Sequence, residues 1–167
     1  MDVDVLLSLS LGKLYAHHAN FAGTPRQAVA DGYSAVDASF SALLKYDGKR
    51  QLRNHKLKLE MARENYPDAF AAETTVTENS TLYAPEADWD SLVAYYEEWL
   101  QARYETFSMG AGAAARRVRE SHTVVSAALR FLAKKDGITS AELDKQVSER
   151  AFGFDFSELS AAYWGRA

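Results

Sequence analysis

The apolar positions of this chain step by three and four almost from end to end, the period of a helix face. Leu6, Leu9, Leu14, His17 and Phe21 trace one stripe of a first helix, and Gly12 weakens its middle. "GTPRQ" is a start signal for a second: Thr24 caps, Pro25 takes the first helical position, and Gln27 completes a capping box. That helix carries Val29, Tyr33, Val36, Phe40 and Leu43. It ends near "YDGK", where Gly48 suits a left-handed stop. A third helix runs from about Asn54 to Glu64 with His55, Leu59 and Ala62 on one stripe, and Tyr66-Pro67 follows it.

Residues 71–87, "AAETTVTENSTLYAPEA", lose the period and read as a loop with a short extended segment at "TLYA". Asp88 then opens an aromatic helix with Trp89, Leu92, Tyr96, Trp99 and Tyr104, which "SMGAGA" breaks. A fifth helix carries Val118, His122, Val125, Leu129 and Leu132 and stops at "KKDG". A sixth starts at the capping box Thr139–Glu142 and carries Leu143, Val147 and Ala151. The aromatic tail "FGFDFSELSAAYWGRA" is expected to dock as a short helix. The pattern predicts an all-α fold, an antiparallel up-and-down bundle of four to five helices. Residues 1–135 form the bundle and 136–167 a C-terminal helical extension packed on it, in a single domain overall.

Composition narrows the function classes. The 167 residues suit one domain with a sizeable core, and 47% apolar with 25% charged residues is an ordinary globular balance. A net charge of −4 argues against bulk nucleic-acid or membrane binding and leaves room for a local basic patch. The absence of cysteine excludes disulfides and thiolate zinc sites. No stretch reaches the roughly 20 apolar residues of a membrane span. The opening "MDVDVLLSLSLGKLYAHHANF" has acids ahead of its apolar run, so it reads as a helix rather than a signal peptide, and a cytoplasmic location is expected.

Most catalytic templates are missing. There is no Glu-x-x-His for a di-metal bundle, and adjacent His17 and His18 point to different helix faces, one ring in the core and one in water. No metal and no cofactor are expected. No Gly-x-Ser-x-Gly supports covalent catalysis, and no Gly-rich loop cradles phosphate. "LAKKDGITSAELDKQV" opens like a helix-turn-helix. "SERAFGFDFSEL" follows in place of a basic recognition helix, so DNA reading is not expected.

Two arginine–histidine spacings remain: Arg117 with His122 in "RRVRESH", and Arg50 with His55 in "YDGKRQLRNHKLKLE". Such a pair suits a metal-independent ribonuclease. The imidazole moves a proton at the ribose 2′-hydroxyl or the leaving oxygen, and the guanidinium holds the phosphate. Arg116 and Arg119 would add phosphate contacts. The plainer alternatives stand beside these. His122 lies on the Val118–Val125–Leu129 stripe as a buried, singly hydrogen-bonded histidine, with the three arginines on a solvated face. His55 sits at a helix start capped by Asn54, with Lys56 and Lys58 in water.

"DGYSAVDASFSALLKYDGKRQLRNHKLKLEMA" resembles the second and third helices of the HEPN domain family of small prokaryotic helical bundles. "LQARYETF" resembles the family's Leu-x-x-Arg-Tyr-x-x-Phe/Tyr turn, and "AAARRVRESHTVVSAALRFLAKKDG" stands where its Ala-rich last helix belongs. The resemblance spans roughly residues 5–135. It implies a four- or five-helix bundle, a homodimer, and a role in a nucleotide- or RNA-linked module such as a toxin–antitoxin or defence pair. A nucleotidyltransferase or antitoxin partner and RNA follow from the same resemblance, while the lack of an apolar span leaves no membrane partner expected. Active relatives use Arg-x4-6-His near the last bundle helix, which favours Arg117 and His122 over Arg50 and His55. Arg103, in the "ARYETF" turn, has no histidine four to six residues later. The runner-up is a non-catalytic dimeric scaffold bundle that binds a protein through its aromatic helix 89–104 and tail 152–164.

Overall fold

The computed structural model describes residues 1–49, 53–70, 76–77, 80–81, 87–103 and 107–153. The helical period is realised as α1 (Val3–Asn20), α2 (Pro25–Tyr46), α3 (His55–Asn65), α4 (Trp89–Arg103), α5 (Ala111–Asp136) and α6 (Ser140–Gly153). They form an all-α antiparallel bundle. The extended segment expected at "TLYA" falls partly on a two-residue antiparallel pair, β1 (Val76–Thr77) with β2 (Ser80–Thr81). Leu82 to Ala84, Tyr104 and the tail from Phe154 lie outside the described residues.

Local chemistry explains the boundaries. Thr24 caps α2 by accepting from the Gln27 amide, and Gly48 ends the helix region at φ 66°. The capping box is not closed from the other side: among the described residues no hydrogen bond returns from the Thr24 amide to Gln27, whose Nε2 donates to Asp31 at 2.9 Å. Gly137, at φ 71°, stops α5. Thr139 and Glu142 cap α6 reciprocally, each receiving the other's backbone N–H. Arg26 reaches across from α2 and donates to the Ala102 carbonyl at 2.8 Å, satisfying an end of α4.

α1 departs from the single stripe its sequence suggests. Every residue from Val5 to Gly12 is buried, because α2, α5 and α6 enclose its first half. A helix surrounded on several sides needs apolar or small residues all round. Ser8 and Ser10 fit there because their hydroxyls donate to the Asp4 and Val147 carbonyls. Gly12 is a crossing point rather than a weakness: a Cβ there would lie 3.3 Å from the Ala35 carbonyl oxygen of α2. At the other end of α1, His17 and His18 are both exposed, so neither ring enters the core. α6 shares the core through Leu143 and Val147, and Ala151 packs with Leu11 and Leu14.

The α2–α4 contact is aromatic. Tyr33 stacks on Trp99 at 5.1 Å and meets Tyr95 edge-on at 5.5 Å, while Phe40 stacks on Trp89 at 5.6 Å. Gly32 makes room for this layer, since a Cβ there would collide with the Tyr95 hydroxyl oxygen. That hydroxyl is buried with no hydrogen-bond partner among the described residues. Gly32→Ala is therefore expected to destabilise the fold by about 1–3 kcal/mol in chemical denaturation. In a Tyr95→Phe background the same substitution should cost clearly less. An equal cost in both backgrounds would show that the collision is not the cause.

Candidate functional site

Asn54 starts α3 by accepting from the Leu57 amide at 3.1 Å. That cap puts His55 in the first helical position and Lys58 one turn on, so both side chains leave α3 on the same side. Both reach Asp37, an acid inside the apolar stripe of α2. His55 Nδ1 is 2.9 Å from Asp37 Oδ1, and Lys58 Nζ is 2.8 Å from Asp37 Oδ2. Lys58, expected in water, is instead 3% exposed, and Asp37 is 6% exposed.

Burial alone would push the Asp37 carboxyl up. The His55 hydrogen bond and the Lys58 charge outweigh it and hold the group below the ordinary carboxylate range. An ionised carboxylate only accepts, so Nδ1 of His55 carries the proton and Nε2 is left for other chemistry. The ring is 28% exposed and is braced edge-on by Trp99 at 4.9 Å. Beside it, Tyr15, Ser34 and Trp99 help line a cavity of about 20 Å³, room for a water rather than for a substrate. A base oriented by a buried carboxylate, partly open to solvent, is equipped for proton transfer. Arg50, expected as its partner, lies outside the described residues.

The pair Arg117 and His122 is not brought together. Arg117 faces α4, where Nε and one Nη donate to the two Glu98 oxygens at 2.6 and 2.9 Å. Its other Nη meets Glu120 at 3.2 Å and the Ser91 carbonyl at 3.2 Å, and the guanidinium lies 5.1 Å over Tyr95. Burial would lower its pKa, and the Glu98 and Glu120 carboxylates raise it further than burial lowers it. His122 turns to α1, half-buried, with Nε2 3.0 Å from Asn20 Oδ1. Burial and the nearby His17 depress its pKa against a backbone hydrogen bond with Ala16. Arg116 and Arg119 are exposed and have no ion-pair partner among the described residues. Arg119 borders a groove of about 400 Å³ between the α1–α2 turn and the first turns of α5.

Sequence spacing missed Asp37 and Lys58. The available signal was an acid in the middle of "YSAVDASF", one turn after Tyr33 on a helix with an apolar period. Such an acid has to be paired if buried. Comparison of the chain with protein-family models, with curated proteins and with solved structures gave no match.

Asp37→Asn leaves Lys58 buried without its counter-charge and is expected to cost about 3–5 kcal/mol at neutral pH. Because the folded-state pKa of Asp37 is depressed, its contribution is present above the ordinary carboxylate value. It is lost as pH falls through the folded value. The stability gap between wild type and Asp37→Asn should therefore be full at pH ~7 and shrink below pH ~4. A gap independent of pH would contradict the ionised pairing.

Proposed function

We propose that this chain is a HEPN-like helical-bundle protein of a nucleotide- or RNA-linked module, and that its metal-independent acid–base chemistry belongs to His55. One observation carries this choice of residue: His55 Nδ1 is 2.9 Å from a carboxylate whose other oxygen is held by buried Lys58. Among the described residues His122 has the Asn20 amide as its side-chain hydrogen-bond partner, and Arg117 is committed to Glu98 and Glu120.

In this reading RNA is the substrate. Nε2 of His55 takes the proton of a ribose 2′-hydroxyl as the 2′-oxygen bonds to phosphorus. The bond from phosphorus to the 5′-oxygen breaks, and the proton is returned to that oxygen. The products are a 2′,3′-cyclic phosphate and a 5′-hydroxyl end, with no metal in the sequence of steps. Asp37 fixes the tautomer and stabilises the imidazolium while it carries the proton. Homodimerisation and a nucleotidyltransferase or antitoxin partner belong to the same proposal, which also places the protein in a toxin–antitoxin or defence pair.

A second reading is a non-catalytic bundle that holds a protein partner. Its support is an exposed aromatic cluster: Phe21 is 75% and Phe152 53% exposed, and His17 meets both rings edge-on at 5.1 and 5.4 Å.

RNA incubated with purified protein and a chelator separates the two. Wild type and His122→Ala should cleave alike, and His55→Ala should be slower by about 10²-fold or more. Undiminished cleavage by His55→Ala would remove His55 from the chemistry. No cleavage by wild type would leave the partner-binding reading.

A further inference from the structure

The groove between the α1–α2 turn and the first turns of α5 has a volume of about 400 Å³, the size class of small-ligand clefts. It shares no lining residue with the cavity beside His55. Its α5 side follows helical spacing: Ala111, Ala114, Ala115 and Val118 make a floor, and Arg119 stands one turn after Ala115. The facing wall, from the end of α1 to the start of α2, is also short-chained, with Ala22, Gly23 and Pro25. No aromatic or long aliphatic side chain among the described residues lines the space.

Arg119 is the charged residue of this lining, and no carboxylate shares the groove with it. The side chain is exposed, and it has no ion-pair or hydrogen-bond partner among the described residues. Asn20 and Thr24, the other polar groups of the lining, are already engaged. Asn20 Oδ1 lies 3.0 Å from His122 Nε2, and Thr24 Oγ1 accepts from the Gln27 amide at 3.2 Å.

We propose that this groove binds a free medium-chain aliphatic carboxylate, its chain on the alanine floor and its carboxylate in the fork of Arg119. Charge selects the head group. One unpaired guanidinium matches a monoanion, whereas a phosphate monoester carries close to two negative charges. Two parallel N–H groups of the guanidinium fit the two carboxylate oxygens. Polarity selects the body. A sugar or nucleobase would leave its hydrogen-bonding edge unpaired against alanine methyls, which costs affinity. An alkyl chain has no such edge and gains from every methylene taken out of water. The arginines of "RRVRESH" thus divide three ways: Arg117 is tied to Glu98, Arg116 is exposed outside the groove, and Arg119 lines it.

The test is a titration of nitrogen-15-labelled full-length protein with octanoate, followed by amide NMR, with acetate, octylammonium and 1-octanol as controls. Octanoate should give saturable shifts at Ala22, Gly23, Ala115 and Arg119. Acetate and octylammonium should give none there, and octanol should bind about tenfold more weakly than octanoate. Arg119→Gln, a surface change that should leave circular dichroism as in wild type, is expected to weaken octanoate by about tenfold. Arg119→Lys should recover part of that loss, because it restores the charge without the fork. Arg116→Gln should stay within about twofold of wild type, since an exposed charge outside the groove is largely screened. Ala115 is exposed, so Ala115→Phe places a ring in the groove without crowding the core and should abolish binding. Absence of saturable shifts with octanoate, equal affinity of wild type and Arg119→Gln, or octylammonium binding as well as octanoate overturns the proposal. So does a dimer in light scattering that Ala115→Phe converts to a monomer, because the groove would then be an interface between copies.

Discussion

A carboxylate inside a helical bundle has to be neutralised where it sits, and Asp37 is neutralised from outside its own helix. Lys58 and His55 come to it from α3, at 2.8 and 2.9 Å. α3 is the shortest of the described helices at 11 residues, and few of its side chains are buried. Apolar contact alone gives it a small hold: Leu59 and Ala62 are its buried apolar residues. The ion cluster therefore does two things. It fixes where α3 lies on α2, and it sets which nitrogen of His55 carries a proton. Trp99 completes the arrangement from α4, so three helices converge on one imidazole.

The same rule separates the arginines of α5. Arg117 lies partly under α4, and each of its three guanidinium nitrogens donates to Glu98, Glu120 or Ser91. Its neighbours Arg116 and Arg119 project into solvent. Helical geometry alone produces this, because consecutive residues are turned by about a third of a circle or less from one another. A motif such as "RRVRESH" thus mixes a structural guanidinium with free ones, and its spacing says nothing about which is which. His122, five residues past Arg117, turns toward α1 and the Asn20 amide. α5 thus carries a guanidinium and an imidazole that face different helices, while the imidazole paired with a buried carboxylate is at the start of α3.

Much of the fold was legible because helical period and capping are local signals. Thr24 with Pro25, Asn54, Gly48, Gly137 and the Thr139–Glu142 box all mark real boundaries. Burial was less legible. Leu6, Leu9 and Leu14 gave α1 a stripe, yet its central position, with Ser8, Ser10 and Gly12 buried, depends on neighbours that no local pattern encodes. The site was the least legible part. Asp37, His55 and Trp99 come from three helices, and their meeting depends on the angle at which α3 and α4 cross α2. Lys58 was misplaced in water for the same reason: its sequence neighbours are polar, and its partner is 21 residues away.

The central claim is that Asp37 dictates the tautomer of His55. Nitrogen-15 NMR of the imidazole reads this directly. The account predicts that the neutral ring of His55 carries its proton on Nδ1, toward Asp37, and that Asp37→Asn weakens this preference. A neutral ring protonated at Nε2 with a bare Nδ1, or the averaged pair of shifts of a free imidazole, would contradict it.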